Sequence, residues 1–227
     1  MDKFIGAPLA RRSFLAGTAA GGLVLLSGCE TTGGFSMVEA IRRLLTISAQ
    51  RAFSRLTAPG GFWDSEVARF DLPELFSGSS GGLRSLLTST LFKSQLQRQL
   101  NIVAEKGAER AAPVVYDAVR NISIADAIGL VRGGSTAATS YLRGEMGPAM
   151  INAMIPGLSD ALRVASDPVM SQAVRALSGV DPGAIAQSVA VRADNSIWNQ
   201  IGVEESAIRA NPQGTNDPLL IGVFKVL

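Results

Sequence analysis

The chain has no histidine and a single cysteine in 227 residues, and each absence closes off a class of chemistry. Without imidazole and paired thiols there is no ligand set of the usual kinds for zinc, haem or an iron–sulfur cluster. A nucleophile activated by histidine, as in Ser-His-Asp and Cys-His mechanisms, is excluded for the same reason. Phosphate-cradling loops, dinucleotide fingerprints and calcium-loop spacings are also missing. Gly78-Ser79-Ser80-Gly81-Gly82 fits a nucleophile elbow by its letters alone, with no base for Ser80 and no strand before it. It reads as a loop. Catalytic residues: none; metal: none; cofactor: none. Long apolar runs are lacking too. Ala16–Leu26, diluted by Gly17, Thr18, Gly21 and Gly22, covers 11 positions, whereas a bilayer-crossing helix needs about 20 apolar residues.

That short run sits inside a recognisable leader. Lys3, Arg11 and Arg12 make its start cationic, and small residues close it, which is the layout of an export signal. Arg11-Arg12-Ser13-Phe14-Leu15 resembles a twin-arginine signal. Ala10 stands where a Ser or Thr usually precedes the pair, so the general secretory route stays open. Leu26-Ser27-Gly28-Cys29 looks like a lipobox, in which the cysteine sulfur receives a diacylglycerol and the leader is cut before it. Several acyl chains, at about 0.8 kcal/mol per buried CH₂, anchor a protein stably where one does not. The expected order is an export signal over 1–28, a tether over 29–34 and a helical domain over 35–227. The expected place is the cell envelope, with Cys29 as the lipid attachment and the body facing the periplasm. Glu30 influences which membrane is reached without deciding it.

Cleavage leaves 199 residues, enough for one domain that buries roughly 70% of its surface without a disulfide. Losing Lys3, Arg11 and Arg12 takes 21 basic residues to 18, and losing Asp2 takes 19 acidic ones to 18. The mature body is neutral, so the basic pI belongs to the leader and gives no support for nucleic-acid binding.

Within the body, apolar residues recur with helical period. Met37, Val38, Ile41, Leu44, Leu45, Ala52, Phe53 and Leu56 form one stripe, capped by Ser36, with Arg42, Arg43, Arg51 and Arg55 on the solvated side. Pro59-Gly60-Gly61 ends it. Ala68, Phe70 and Leu72 alternate with Arg69 and Asp71, which predicts one short extended segment. Trp63 is expected as a core plug, and Pro73 as the start of a brief helix through Phe76. A helix follows over 83–112 with Leu83, Leu86, Leu87, Leu91, Leu96, Leu100 and Val103 inward, and Pro113 restarts the next. Ser123 and Asp126 suggest a capping box for a helix ending at Gly133-Gly134, and Ser135 a cap for its successor. Pro148 and Pro156 bracket a methionine-rich helix that fills the core or lines an apolar groove. Asp167-Pro168, Asp181-Pro182 and Asp217-Pro218 read as cap-then-proline helix starts. Ile185, Val189, Ile197 and Ile201 mark a buried face, with Glu205 and Arg209 as a helical ion pair. Glu204 and Glu205, about 100° apart on a helix, do not converge on one atom. The fold class is therefore all-α, a single multi-helix globular domain with at most one extended segment.

Ile124-Ala125-Asp126-Ala127-Ile128-Gly129, Gly133-Gly134 and Ala137-Ala138-Thr139-Ser140-Tyr141 together resemble the central signature of the domain of unknown function 4197 family. Ala193-Asp194, Glu204-Glu205, Ile208-Arg209-Ala210-Asn211-Pro212 and Leu219-Leu220 with Val223-Phe224 are similar to its closing pattern. The resemblance implies an all-helical envelope protein and carries no catalytic residue. Asp126, Arg132, Thr139 and Tyr141 lie around the signature and form the candidate functional surface. The leading expectation is a non-catalytic binding or scaffolding domain, with the membrane through Cys29 and an envelope protein as partners. A carrier of an apolar ligand between helices, and a carboxylate-based hydrolase or lyase, stand as alternatives. The ordinary roles of three of the four candidates are a cap for Asp126, back-bonding to the helix for Thr139 and packing with a satisfied hydroxyl for Tyr141.

Overall fold

The computed structural model describes residues 29–73, 85–164, 167–176 and 182–225, with side chains in the first helix from residue 37. The export signal with Arg11 and Arg12, the side chain of Cys29, residues 74–76 of the brief helix expected after Pro73, Leu83, the Gly78–Gly82 loop and Asp181 lie outside the described residues. Among the described residues eight α-helices follow in order. They are α1 (Cys29–Leu56), α2 (Thr90–Asn121), α3 (Ala127–Arg132), α4 (Ala137–Met146), α5 (Ala149–Val164), α6 (Pro168–Ala176), α7 (Pro182–Ala210) and α8 (Pro218–Phe224). A 3₁₀ turn, Pro212–Thr215, joins the last two. No strand occurs among the described residues, and no described helix is long and apolar enough to cross a membrane.

The long helices pack in a ring, with α1 beside α2, α2 beside α5, α5 beside α7 and α7 back beside α1. The stripe read in α1 is the buried one, with Ile41, Leu44, Leu45, Ala52 and Leu56 fully enclosed. In α7, Ile185, Val189, Ile197 and Ile201 are likewise buried. Close approach of α2 and α5 depends on two glycines. A Cβ at Gly107 would stand 2.9 Å from Leu158 Cδ2, and one at Gly157 2.9 Å from Arg110 Cγ. Met150 and Met154 are fully buried and Met146 nearly so, packed into the main core. These methionines fill space, and the described cavities lie elsewhere.

Several boundaries differ from expectation. α1 begins at Cys29, so residues 29–34 are helical and Ser36 lies inside the helix rather than capping it. Pro113 sits within α2 and Pro156 within α5. Each removes one backbone donor and strains the preceding turn. Both prolines are exposed, and tertiary packing along the helices carries them through. α2 starts at Thr90, where the Ser89 hydroxyl accepts from the Phe92 N–H, and Leu91 is 73% exposed rather than inward. Phe62 and Phe70 are the buried aromatics of the α1–α2 connection. Trp63 lies at the edge under the Arg69 guanidinium, 4.9 Å from its centroid.

The alternating segment does alternate: Ala68, Phe70 and Leu72 are buried, Arg69 and Asp71 exposed. Its hydrogen-bond partner is a side chain in place of a second strand. Asn101 Oδ1 accepts from the Phe70 N–H at 3.2 Å, and Asn101 Nδ2 donates to the Phe70 carbonyl at 3.0 Å. Gln97, one turn earlier on α2, donates to the same carbonyl at 3.1 Å. Glu105, one turn later, is buried near Gly60 and Phe62, with its Oε1 unpartnered among the described residues. Gln97 and Asn101, four apart on α2, thus hold the connection down, satisfying backbone groups whose burial unpaired is costly.

Candidate functional site

The family-like signature folds into a corner made by α3, α4 and α7. Asp126 caps α3, accepting from the Gly129 N–H at 2.7 Å. A Cβ at Gly129 would fall 2.1 Å from Asp126 Oδ2, so glycine there makes room for the cap. Ser123 is not the cap; its carbonyl accepts from the Tyr141 hydroxyl at 2.6 Å.

The start of α4 is capped from a distance. Ser135 makes no cap, and neither does Thr136, the residue in the cap position. Glu205 of α7, fully buried, accepts instead from the N–H of Ala138 at 3.0 Å and of Thr139 at 2.7 Å. Arg209, four residues on, donates to Glu205 at 2.8 Å and to the carbonyls of Val131 and Leu130 at 2.9 Å each. Its guanidinium also stacks over Phe224, 4.9 Å from the centroid. One ion pair thus satisfies two donors that open α4 and two carbonyls that close α3, groups a helix cannot pair by itself.

A second polar cluster stands about two to three turns earlier on α7. Arg143 Nη2 of α4 donates to Asp194 at 3.0 Å and to Asn195 at 2.5 Å, and Trp198 Nε1 donates to Asp194 at 3.1 Å. Burial pushes the Asp194 carboxyl above the ordinary range, against the pull of Arg143 and the Trp198 N–H. Glu204 turns away from Glu205, as a 100° step requires, and meets Gln200 at 3.2 Å and Arg55 at 3.2 Å. The arginine face of α1 also holds the fold: Arg42 donates to the Ile122 carbonyl, Arg43 pairs with Glu39 and Asp217, and Arg51 donates to the Gly214 carbonyl.

Between α4 and α7 lies an open cleft of about 450 Å³, walled by Thr139, Ser140 and Arg143 on one side and Trp198, Asn199 and Val203 on the other. Val67 from the α1–α2 connection closes one edge. A neighbouring hollow of about 610 Å³ shares Ser135 and Ser206 with it and is bounded by Arg132, Arg209 and Phe224. Of the four candidates, Thr139 lines the first cleft and Arg132 the second. Asp126 and Tyr141 line neither; one is a cap and the other is satisfied by the backbone. Thr139 does not bond back to its helix. Its residue is 4% exposed and its Oγ1 is buried without a partner among the described residues.

Arg143, Asp194 and Trp198 were not singled out as a unit, although Ala193-Asp194 belongs to the closing pattern. Their separation of about 50 positions hides the pairing. The Gln97-Asn101-Glu105 spacing was a readable signal: polar residues at intervals of four beside an otherwise apolar stripe. Among the described residues no group of three His, Cys, Asp or Glu is placed to hold a metal ion.

Fold and cleft together define an all-α domain whose ionisable side chains tie helix ends together beside an open, partly polar cleft. The family model described as "Protein of unknown function (DUF4197)" matches residues 31–225, and the chain belongs to that family. No curated protein and no solved structure matches it.

Proposed function

We propose that this protein is a lipid-anchored binding domain of the bacterial cell envelope, facing the periplasm and acting by holding a ligand rather than transforming it. Arg11-Arg12 and the Leu26-Ser27-Gly28-Cys29 sequence support export and acylation. From Cys29, the first described residue, α1 runs as one helix of 28 residues, about 42 Å at 1.5 Å per residue, which supports a stiff link between an acylated Cys29 and the body.

The observation that carries the binding reading is the state of the carboxylates beside the cleft. Asp194 and Glu205 are both buried, and each of their carboxylate oxygens is already held by a named donor. What faces the cleft is a guanidinium, hydroxyls, an amide and an indole, groups that recognise and orient. Intact-mass analysis of the protein from its native host tests the location. The expected mass is that of a chain starting at Cys29 and carrying acyl groups, with both features lost in Cys29→Ser. An unmodified chain that keeps residues 1–28 would refute the anchor.

A further inference from the structure

We propose that the cleft between α4 and α7 takes a small organic monoanion: one carboxylate carried on an apolar body. This rests on the reading of the cleft as a binding site and names what it binds. Arg143 is the charged side chain in the cleft wall, and its side chain is 43% exposed. A guanidinium carries five N–H donors, and the contacts to Asp194 and Asn195 both leave from Nη2. The nearby carboxylates are taken, Asp194 by Arg143 and Trp198, Glu205 by Arg209 and the backbone of α4. Strong donors therefore outnumber strong acceptors, and a ligand that completes the site brings lone pairs. The planar fork of arginine fits a carboxylate best.

Charge and surroundings narrow the class. Asp194 already offsets part of the Arg143 charge, which suits one negative charge better than two. Phosphate groups draw on the free N–H groups of helix starts, and those of Ala138 and Thr139 are occupied by Glu205. Beyond Arg143 the wall is uncharged: Val67, Val203 and the edge of the buried Trp198 supply apolar surface among the hydroxyls of Ser135, Ser140 and Ser206 and the Asn199 amide. Val67 and Val203 are two of the five large apolar side chains exposed on the described surface, at 40% and 43%, and both border this cleft. A volume of about 450 Å³ falls within the range of roughly 300–1,000 Å³ typical of small-molecule sites.

The test uses the full-length protein as Trp63→Phe, which leaves Trp198 as the single tryptophan reporter. Its emission is followed on titration with cyclohexylacetate and with the neutral, isosteric cyclohexylacetamide. The expected result is a saturable response to the acid and at least tenfold weaker binding of the amide. Arg143→Lys keeps a cation opposite Asp194 yet lacks the fork, and brings the acid to within threefold of the amide. Ser140→Phe, an exposed position on the cleft wall, removes both responses, with circular dichroism confirming that each variant is folded. Equal affinity for acid and amide would overturn the carboxylate assignment and leave the binding cleft standing. No saturable response to either ligand, or a response that survives Ser140→Phe, would overturn the cleft as the binding site as well.

Discussion

Glu205→Ala is the sharpest probe of how the corner is built. The substitution leaves Arg209 without its carboxylate while it remains 10% exposed, and strips the N–H groups of Ala138 and Thr139 of their acceptor. Breaking a buried ion pair from one side costs about 3–5 kcal/mol, and losing a helix cap about 1 kcal/mol. Water entering from the hollow beside Ser206 and Arg209 offsets part of this, so the expected loss is about 4 kcal/mol, taken from a domain stability of about 5–15 kcal/mol. For a chain of this size 1 kcal/mol corresponds to about 2–4 °C, so Tm falls by about 8–16 °C. Glu205→Gln keeps one acceptor oxygen, turns the other into an NH₂ group facing a donor and loses the charge, so its fall lies between zero and that of Glu205→Ala.

The assay is urea unfolding of the single variants, Glu205→Ala and Arg209→Met, and of the double variant. Residues sharing one hydrogen-bond network show interaction energies of about 0.5–3 kcal/mol, whereas independent sites add. The reasoning predicts that the double variant is markedly more stable than the sum of the single losses implies. A Glu205→Ala loss under about 1 kcal/mol, or additivity within about 0.5 kcal/mol, would show that the pair does not hold α3 and α4 as described.

Three further outcomes follow from other buried polar groups. Asn101→Ala leaves the Phe70 N–H and carbonyl short of partners; a loss of about 2–3 kcal/mol is expected from unsatisfied buried groups, together with faster amide exchange at Phe70. Thr139→Val removes an orphaned hydroxyl at nearly constant shape, so the urea midpoint rises, by about 1 kcal/mol of stability; a clear fall would mean that Oγ1 has a partner in solution. Glu105 is held above the ordinary carboxylate value of 4.5 by burial, against the N–H groups of Gly60 and Phe62. A raised carboxyl favours the neutral form in the fold, so stability rises as pH falls from neutral through the folded-state pKa and levels off near the unfolded value. Asp194 acts in the same sense. Glu105→Gln should flatten part of that rise in midpoints measured between pH 5 and 8, and an unchanged slope would count against it.

The sequence discloses what periodicity and local chemistry encode. The inward stripes of α1 and α7 are readable because burial repeats every three to four residues. The caps at Asp167 and Asp217 are readable because cap and proline are neighbours: Asp167 accepts from Val169 and Met170, Asp217 from Leu219 and Leu220. Burial and the Leu220 and Arg43 contacts pull the Asp217 carboxyl in opposite directions, and the contacts prevail, holding it below its usual range. The prolines at 113 and 156 mislead for the converse reason. Local strain argues for a break, and packing along α2 and α5 overrides it. The extended segment is half legible: alternation fixes which residues are buried, while its partner, Asn101, lies 31 positions away.

The candidate site fails to be legible for a physical reason of the same kind. Asp126 and Tyr141 attract attention as polar residues in a dense signature, and both turn out to close local hydrogen-bonding deficits. Glu205 and Arg209 look like an ordinary pair one turn apart, yet their principal partners are helix ends about 70 positions earlier. Nearly every acid and base near the corner performs work that backbone groups leave undone, which is how so short a helix as α3 is fixed against α4. Arg143 differs in that its Asp194 contact leaves much of the side chain in the open, between hydroxyls and an indole. Structural demand explains why Asp194 is buried, and it does not explain why its partner should face a cleft. That asymmetry between a committed carboxylate and an accessible guanidinium is what separates a recognition surface here from one more helix clamp.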